Sequence, residues 1–202
     1  MRIGVDFDNT VVDYDALFHK VAVEQGAVPA ELPPTKLAVR GHLRAVGREE
    51  IWTEMQGYVY GARMDEAVAY PGVLDFFRWA RDNDVAIHII SHKTRHPFLG
   101  PRYDLHEAAR RWVASHLAEL IPAGAVFFEL TKEEKLRRIG AVTCGWYIDD
   151  LPEILLDAAF PPQAVKILFD PETHHAQPLP LLKMSNWTEI LRYFKQQCPT
   201  PN

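Results

Sequence analysis

Five short apolar runs, at 3–7, 85–90, 125–128, 145–148 and 165–169, set the tightest limit on what this chain can fold into. Each is rich in Val, Ile and Phe, and none alternates strictly between apolar and polar residues. A strand wetted on one face must alternate, whereas one covered on both faces need not. The runs therefore predict a parallel sheet buried on both sides. Between them, apolar residues recur every three or four positions, as in amphipathic helices. Leu105, Ala109, Trp112, His116 and Leu120 mark one such helix, Leu74, Phe77 and Arg81 a second, and Tyr14, Leu17, Phe18 and Val21 a third. Alternating strands and helices predict a doubly wound, Rossmann-like α/β fold on a five-stranded parallel sheet.

The spacing of the runs is uneven. Far more chain separates the first strand from the second than one crossover helix needs. The surplus, 13–69, has helical patterns of its own at 37–46 and 51–58, punctuated by Pro29, Pro33, Pro34, Gly41, Gly47, Gly57 and Gly61. It reads as a small helical cap inserted after the first strand, leaving 1–12 and 70–202 as the α/β core. Because it departs from the carboxyl end of that strand, it is expected near the edge where open α/β sheets bind ligands. The formal net charge of −5 over 202 residues argues against partners that are polyanions, whether nucleic acid or anionic membrane. No apolar stretch is long enough to span a bilayer, acids interrupt the N-terminal run, and the two cysteines, Cys144 and Cys198, lack metal-site spacing. A cytoplasmic location with reduced thiols is the expectation.

The chemistry concentrates where the apolar runs end. The first closes on Asp6-Phe7-Asp8-Asn9-Thr10, and the fourth on Asp149-Asp150. Carboxylates at i and i+2 of a strand share a face. Two buried strands that finish in paired acids at one sheet edge would crowd four carboxylates into one crevice. Such repulsion calls for a hard divalent cation with oxygen ligands, as Mg²⁺ is. The second run ends in Ser91, a hydroxyl donor suited to a phosphate oxygen. Thr131-Lys132-Glu133-Glu134 has the pattern of a capping box, with Thr131 as N-cap. A lysine at the first helical position opposes the helix dipole unless an anion is near. That reasoning favours Lys132 as the cation of the site, with Lys135 a solvated residue one turn later.

Taken in order, Asp6-x-Asp8-x-Thr10, Ser91, Lys132 and Asp149-Asp150 resemble the four motifs of the haloacid-dehalogenase-like (HAD-like) hydrolase superfamily. The resemblance covers 1–12 and 70–170. It implies a Mg²⁺-dependent phosphatase acting on a small soluble phosphate monoester. Asp6 would be the nucleophile and form an aspartyl-phosphate. Asp8 would serve as acid and then base. Thr10 and Ser91 would hold phosphoryl oxygens, and Lys132 would neutralise developing charge. Mg²⁺ would be held by Asp6, the Asp8 carbonyl and Asp150, with Asp149 behind them touching Lys132. Superfamily members that cleave carbon–halogen bonds lack an acid where Asp8 stands, so its presence argues for phosphate esters. The insertion resembles the helical cap of the first cap class, and its size is loosely similar to that of deoxyribonucleotidase-like members.

Two decorated segments are candidates for substrate binding. In the insertion, Trp52 and Tyr58 offer an aromatic wall for the leaving group, or else simply pack the cap. After Ser91, the basic loop with His92, Lys93 and Arg95 suits a further acidic group on the substrate. His174-His175 lacks a spaced third ligand and reads as surface loop. Other readings are a phosphotransferase using the same intermediate, a non-catalytic binding protein that retains the fold, and a phosphatase for a nucleic-acid or protein terminus.

Overall fold

The computed structural model describes residues 1–173 and 179–197. His174, His175 and Cys198 lie outside the described residues. In chain order the elements are β1 (Arg2–Val5), β2 (Val12–Asp13), α1 (Asp15–Glu24), α2 (Lys36–Ala45), α3 (Glu49–Gly61), β3 (Val68–Ala69), α4 (Val73–Asp82) and β4 (Ala86–His92). There follow α5 (Leu105–Leu117), β5 (Val126–Glu129), α6 (Lys132–Val142), β6 (Trp146–Asp149), α7 (Pro152–Leu155), β7 (Val165–Phe169), β8 (Leu182–Met184) and α8 (Trp187–Gln197).

The main sheet has the order β5-β4-β1-β6-β7-β8, every pair parallel. It has six strands where the apolar runs indicate five. The sixth, β8, is a short edge strand of half-exposed and exposed residues, so it needs no apolar run. Residues 182–184 acquire strand geometry only by pairing with β7.

Chain packing divides the described residues into two compact units. Of the described residues, the first comprises 1–12, 69–92, 117–173 and 179–197, and holds the main sheet. Side-chain alternation on β6 explains how both faces of the sheet are covered. Trp146 meets Phe194 of α8 at 5.7 Å between ring centroids, while Tyr147 faces the other way, into a cluster with Leu136 and Ile139 of α6. β1 lies in the middle. The chain winds outward through β4 and β5, then returns through α6 to β6 and continues to the opposite edge. The reversal of direction beside β1 is the place where open α/β sheets form a crevice beyond the strand ends.

The second unit comprises 13–68 and 93–116. The segment 93–116, expected in the core, packs with the insertion instead. Two glycines of α3 explain it. A Cβ on Gly57 would lie 2.6 Å from Cβ of Pro97, and one on Gly61 would lie 2.5 Å from Cβ of Tyr103. Only bare backbone on that helix face admits these side chains. Trp112 of α5 is buried, and its indole N–H donates to the Ala67 carbonyl at 2.8 Å. An aromatic core of Tyr14, Phe18, Trp52 and Tyr60 joins α1 to α3.

Candidate active site

The site is assembled at the carboxyl ends of β1, β4 and β6 and the start of α6, all in the first unit. Asp6 follows β1 directly, and its N–H donates to the Ile148 carbonyl at 2.9 Å, which extends the pairing with β6 by one residue. The chain then turns sharply. Val11 and Val12 N–H both donate to the Phe7 carbonyl, and Asn9 takes a left-handed conformation with φ 58°. Asn adopts that region more readily than most residues because its short polar side chain bonds locally. The turn is anchored from α8, where the Trp187 indole donates to the Thr10 carbonyl at 3.0 Å.

At the centre, Lys135 Nζ lies 2.7 Å from Asp6 Oδ1 and 2.7 Å from Asp149 Oδ2. Lys135 and Asp149 are wholly buried, and Asp6 is 3% exposed. The second oxygen of Asp149 accepts the Leu151 N–H at 2.9 Å. Burial acts against the charged form of Lys135, but the Asp149 and Asp6 carboxylates outweigh it and hold the ammonium well above the usual lysine range. Burial pushes Asp149 up against the pull of that same ammonium.

Lys135 therefore replaces Lys132 as the cation of the site. Lys132 is 38% exposed, and its Nζ pairs with Asp157 at 2.6 Å. The dipole argument at 131–134 holds locally, since Thr131 caps α6 by accepting the Glu134 N–H and Lys132 has its anion. That anion is Asp157 rather than Asp6. The physical reason is the lean of helical side chains toward the N-terminus. A lysine at the first position projects past the helix start, while one a turn inside reaches back level with it. Helical periodicity gives no signal between the two, since Lys132 stands four residues before buried Leu136 just as Lys135 stands four before buried Ile139.

Asp6, Asp149 and Asp150 each offer a carboxylate oxygen, the three within 4.8 Å of one another. Asp150 is half-buried and accepts the Thr10 hydroxyl at 3.2 Å. Thr10, expected on a phosphoryl oxygen, is fully buried. Ser91 is 1% exposed, one residue from the end of β4, beside β1 in the sheet. His92 ends that strand. Burial, then the charge of Lys135, lowers its pKa, with Asp6 and Asp8 pulling the other way. Its Nδ1 is buried and has no hydrogen-bond partner among the described residues. Asp8 is half-buried in the turn after Asp6.

The remaining candidates belong to the second unit. Lys93 is 6% exposed, with Nζ 4.6 Å from the centre of the Tyr60 ring. Arg95 is exposed and paired with Asp104 at 3.0 Å. Trp52 is 2% exposed against Phe18, so its indole serves the packing of that unit and has no face left for a ligand. Tyr58 is half-buried, its ring 6.4 Å from that of Tyr103.

No family model matches the chain, and no curated protein matches it. Solved structures do. A HAD family hydrolase from Deinococcus radiodurans R1, with bound phosphate and sodium, superimposes with a TM-score of 0.60 at 14% identity, covering 96% of this chain and 95% of that one. A HAD-superfamily hydrolase from Ehrlichia chaffeensis gives 0.58 at 14% identity, with 96% of both chains covered. A predicted phosphoglycolate phosphatase from Haemophilus somnus 129pt gives 0.57 at 11%, covering 95% of this chain and 96% of that one. At such identities the likeness is one of fold, and the fold is that of the HAD-superfamily hydrolases. Among the described residues, no helix is long and apolar enough to cross a membrane.

Proposed function

We propose that the protein is a Mg²⁺-dependent phosphatase that hydrolyses a small soluble phosphate monoester through an aspartyl-phosphate on Asp6. The observation that carries this reading is one buried lysine set among Asp6, Asp149 and Asp150 at the end of the central strand. One ammonium for three carboxylates leaves negative charge in a poorly hydrated place, and an all-oxygen donor set suits a hard divalent ion. Asp6 and Asp150 would hold Mg²⁺, together with the Asp8 carbonyl, because both oxygens of Asp149 are engaged by Lys135 and the Leu151 N–H. When bound, the ion supplies neutralisation of the phosphoryl oxygens.

The chain's own groups do the rest. A carboxylate oxygen of Asp6 attacks phosphorus and the ester P–O bond breaks, while Asp8 gives its proton to the leaving oxygen. Asp8 then takes a proton from water. The resulting hydroxide attacks phosphorus, the Asp6–phosphoryl bond breaks, and inorganic phosphate leaves. Lys135 stays protonated throughout and stabilises charge on the phosphoryl oxygens, with Ser91 donating to one of them. His92 follows Ser91 directly, and its Nδ1, with no hydrogen-bond partner among the described residues, is the group to meet the substrate.

The test is hydrolysis of p-nitrophenyl phosphate with and without Mg²⁺, and trapping of the phosphoenzyme on the Asp6 peptide by mass spectrometry. Loss of turnover with chelator and in Asp6→Asn supports the reading. Undiminished turnover in Asp6→Asn rejects it.

A further inference from the structure

One buried side chain ties two halves of the site together and has no part in the chemistry above. Tyr147 is fully buried on β6. It shares a strand face with Asp149, two residues on. The centre of its ring lies 5.7 Å from Lys135 Nζ. The ammonium thus has the Tyr147 ring as a third neighbour besides its two carboxylates. At the other end of the ring, the phenol hydroxyl donates to the carbonyl of Ile90, the residue before Ser91. The last β1–β4 pair is Val5 with Ile89, so the hydroxyl reaches the first carbonyl past that pair. The sequence makes room for this arrangement at Gly4, where a Cβ would come within 2.5 Å of the Tyr147 ring and 2.9 Å of Cys144 Sγ.

We propose that Tyr147 is a positioning residue, whose ring seats Lys135 between Asp6 and Asp149 and whose hydroxyl sets the end of β4 that presents Ser91. It touches neither substrate nor metal and acts through two residues that do. A hydroxyl held by an ordinary hydrophobic core has no reason to be coupled to a serine on another strand. Here the coupling runs through a single peptide unit, between the Ile90 carbonyl and Ser91. The inference rests on the phosphatase reading, because Ser91 and Lys135 take their roles from it.

The experiment is a double-mutant cycle on kcat/KM for p-nitrophenyl phosphate, with Tyr147→Phe and Ser91→Ala alone and combined. Tyr147→Phe keeps the ring and removes only the hydroxyl. The expected result is a loss of about tenfold for Tyr147→Phe in the native background, falling to less than about twofold once Ser91 is alanine. A merely structural tyrosine would give the same loss in both backgrounds, and that result, or no loss at all in the native background, overturns the proposal. Tyr147→Leu removes the ring as well and is expected to lower kcat further. The same cycle read on the affinity for inorganic phosphate gives an answer that does not depend on turnover. The two failures are distinct. Native protein whose turnover survives Asp6→Asn, or that neither turns over nor binds phosphate, sinks the phosphatase reading and the inference with it. An additive cycle in an Asp6-dependent enzyme sinks only the role of Tyr147.

Discussion

Lys135 and Asp6, separated by 129 positions in the chain, meet at 2.7 Å between Nζ and Oδ1, with Lys135 wholly buried. Lys132, one turn earlier on the same helix, reaches Asp157 instead. The pair therefore singles out Lys135, where the helix dipole by itself points to Lys132.

Lys135→Met should lower kcat about 10²–10³-fold. It strands Asp6 and Asp149 in a buried site and should cost about 3–5 kcal/mol of stability. Lys132→Met breaks only a partly exposed pair and should change kcat by less than about twofold. Steady-state kinetics and urea denaturation of the two variants, side by side, check this. A larger kinetic loss for Lys132→Met would reverse the assignment.

Alanine at Gly57 or Gly61 is expected to destabilise the protein, although alanine is the better helix former by about 1 kcal/mol. The added methyl meets Pro97 or Tyr103 at 2.6 Å or 2.5 Å, and such overpacking costs about 1–3 kcal/mol. Thermal melts should show a lower Tm. Hydrogen exchange should rise in 93–116, the segment those glycines receive. A raised Tm would count against the packing described for the second unit.

Glu66 gives a pH signature. Hydrogen bonds from Arg63 and then Lys20 hold its carboxyl at about 2, below the ordinary 4.5. A carboxyl depressed in the folded state adds stability that is complete above its unfolded pKa and disappears as pH falls through the folded one. The stability gap between the native protein and Glu66→Gln should therefore be constant above about pH 5 and close between about 4.5 and 2. Denaturation midpoints across that range measure it. A gap that persists at pH 2 would contradict the assignment to Glu66.

Cys144 is buried beside Gly4, and burial pushes its thiol up to about 11. Because the thiolate is the reactive form, it should resist iodoacetamide at pH 8 in the folded protein and react once urea unfolds it. Peptide mapping by mass spectrometry reads the Cys144 site directly. Rapid labelling in the folded state would place it nearer solvent than its packing implies.

What the sequence determined by itself was whatever is periodic or local. Unbroken Val, Ile and Phe runs demand cover on both faces, so the parallel sheet and its strand-end acids at Asp6 and Asp149-Asp150 were legible from residue type and spacing alone. The cap of α6 was legible for the same reason, since Thr131 and Glu134 bond within four residues. Tertiary structure decided everything that depends on direction. Which lysine faces Asp6 follows from the lean of side chains along α6, a turn's difference that helical periodicity does not resolve. The edge strand β8 exists only because β7 is there to pair with it. The place of 93–116 was settled by the bare backbone of Gly57 and Gly61, which sequence shows as punctuation and three dimensions show as a landing site for Pro97 and Tyr103.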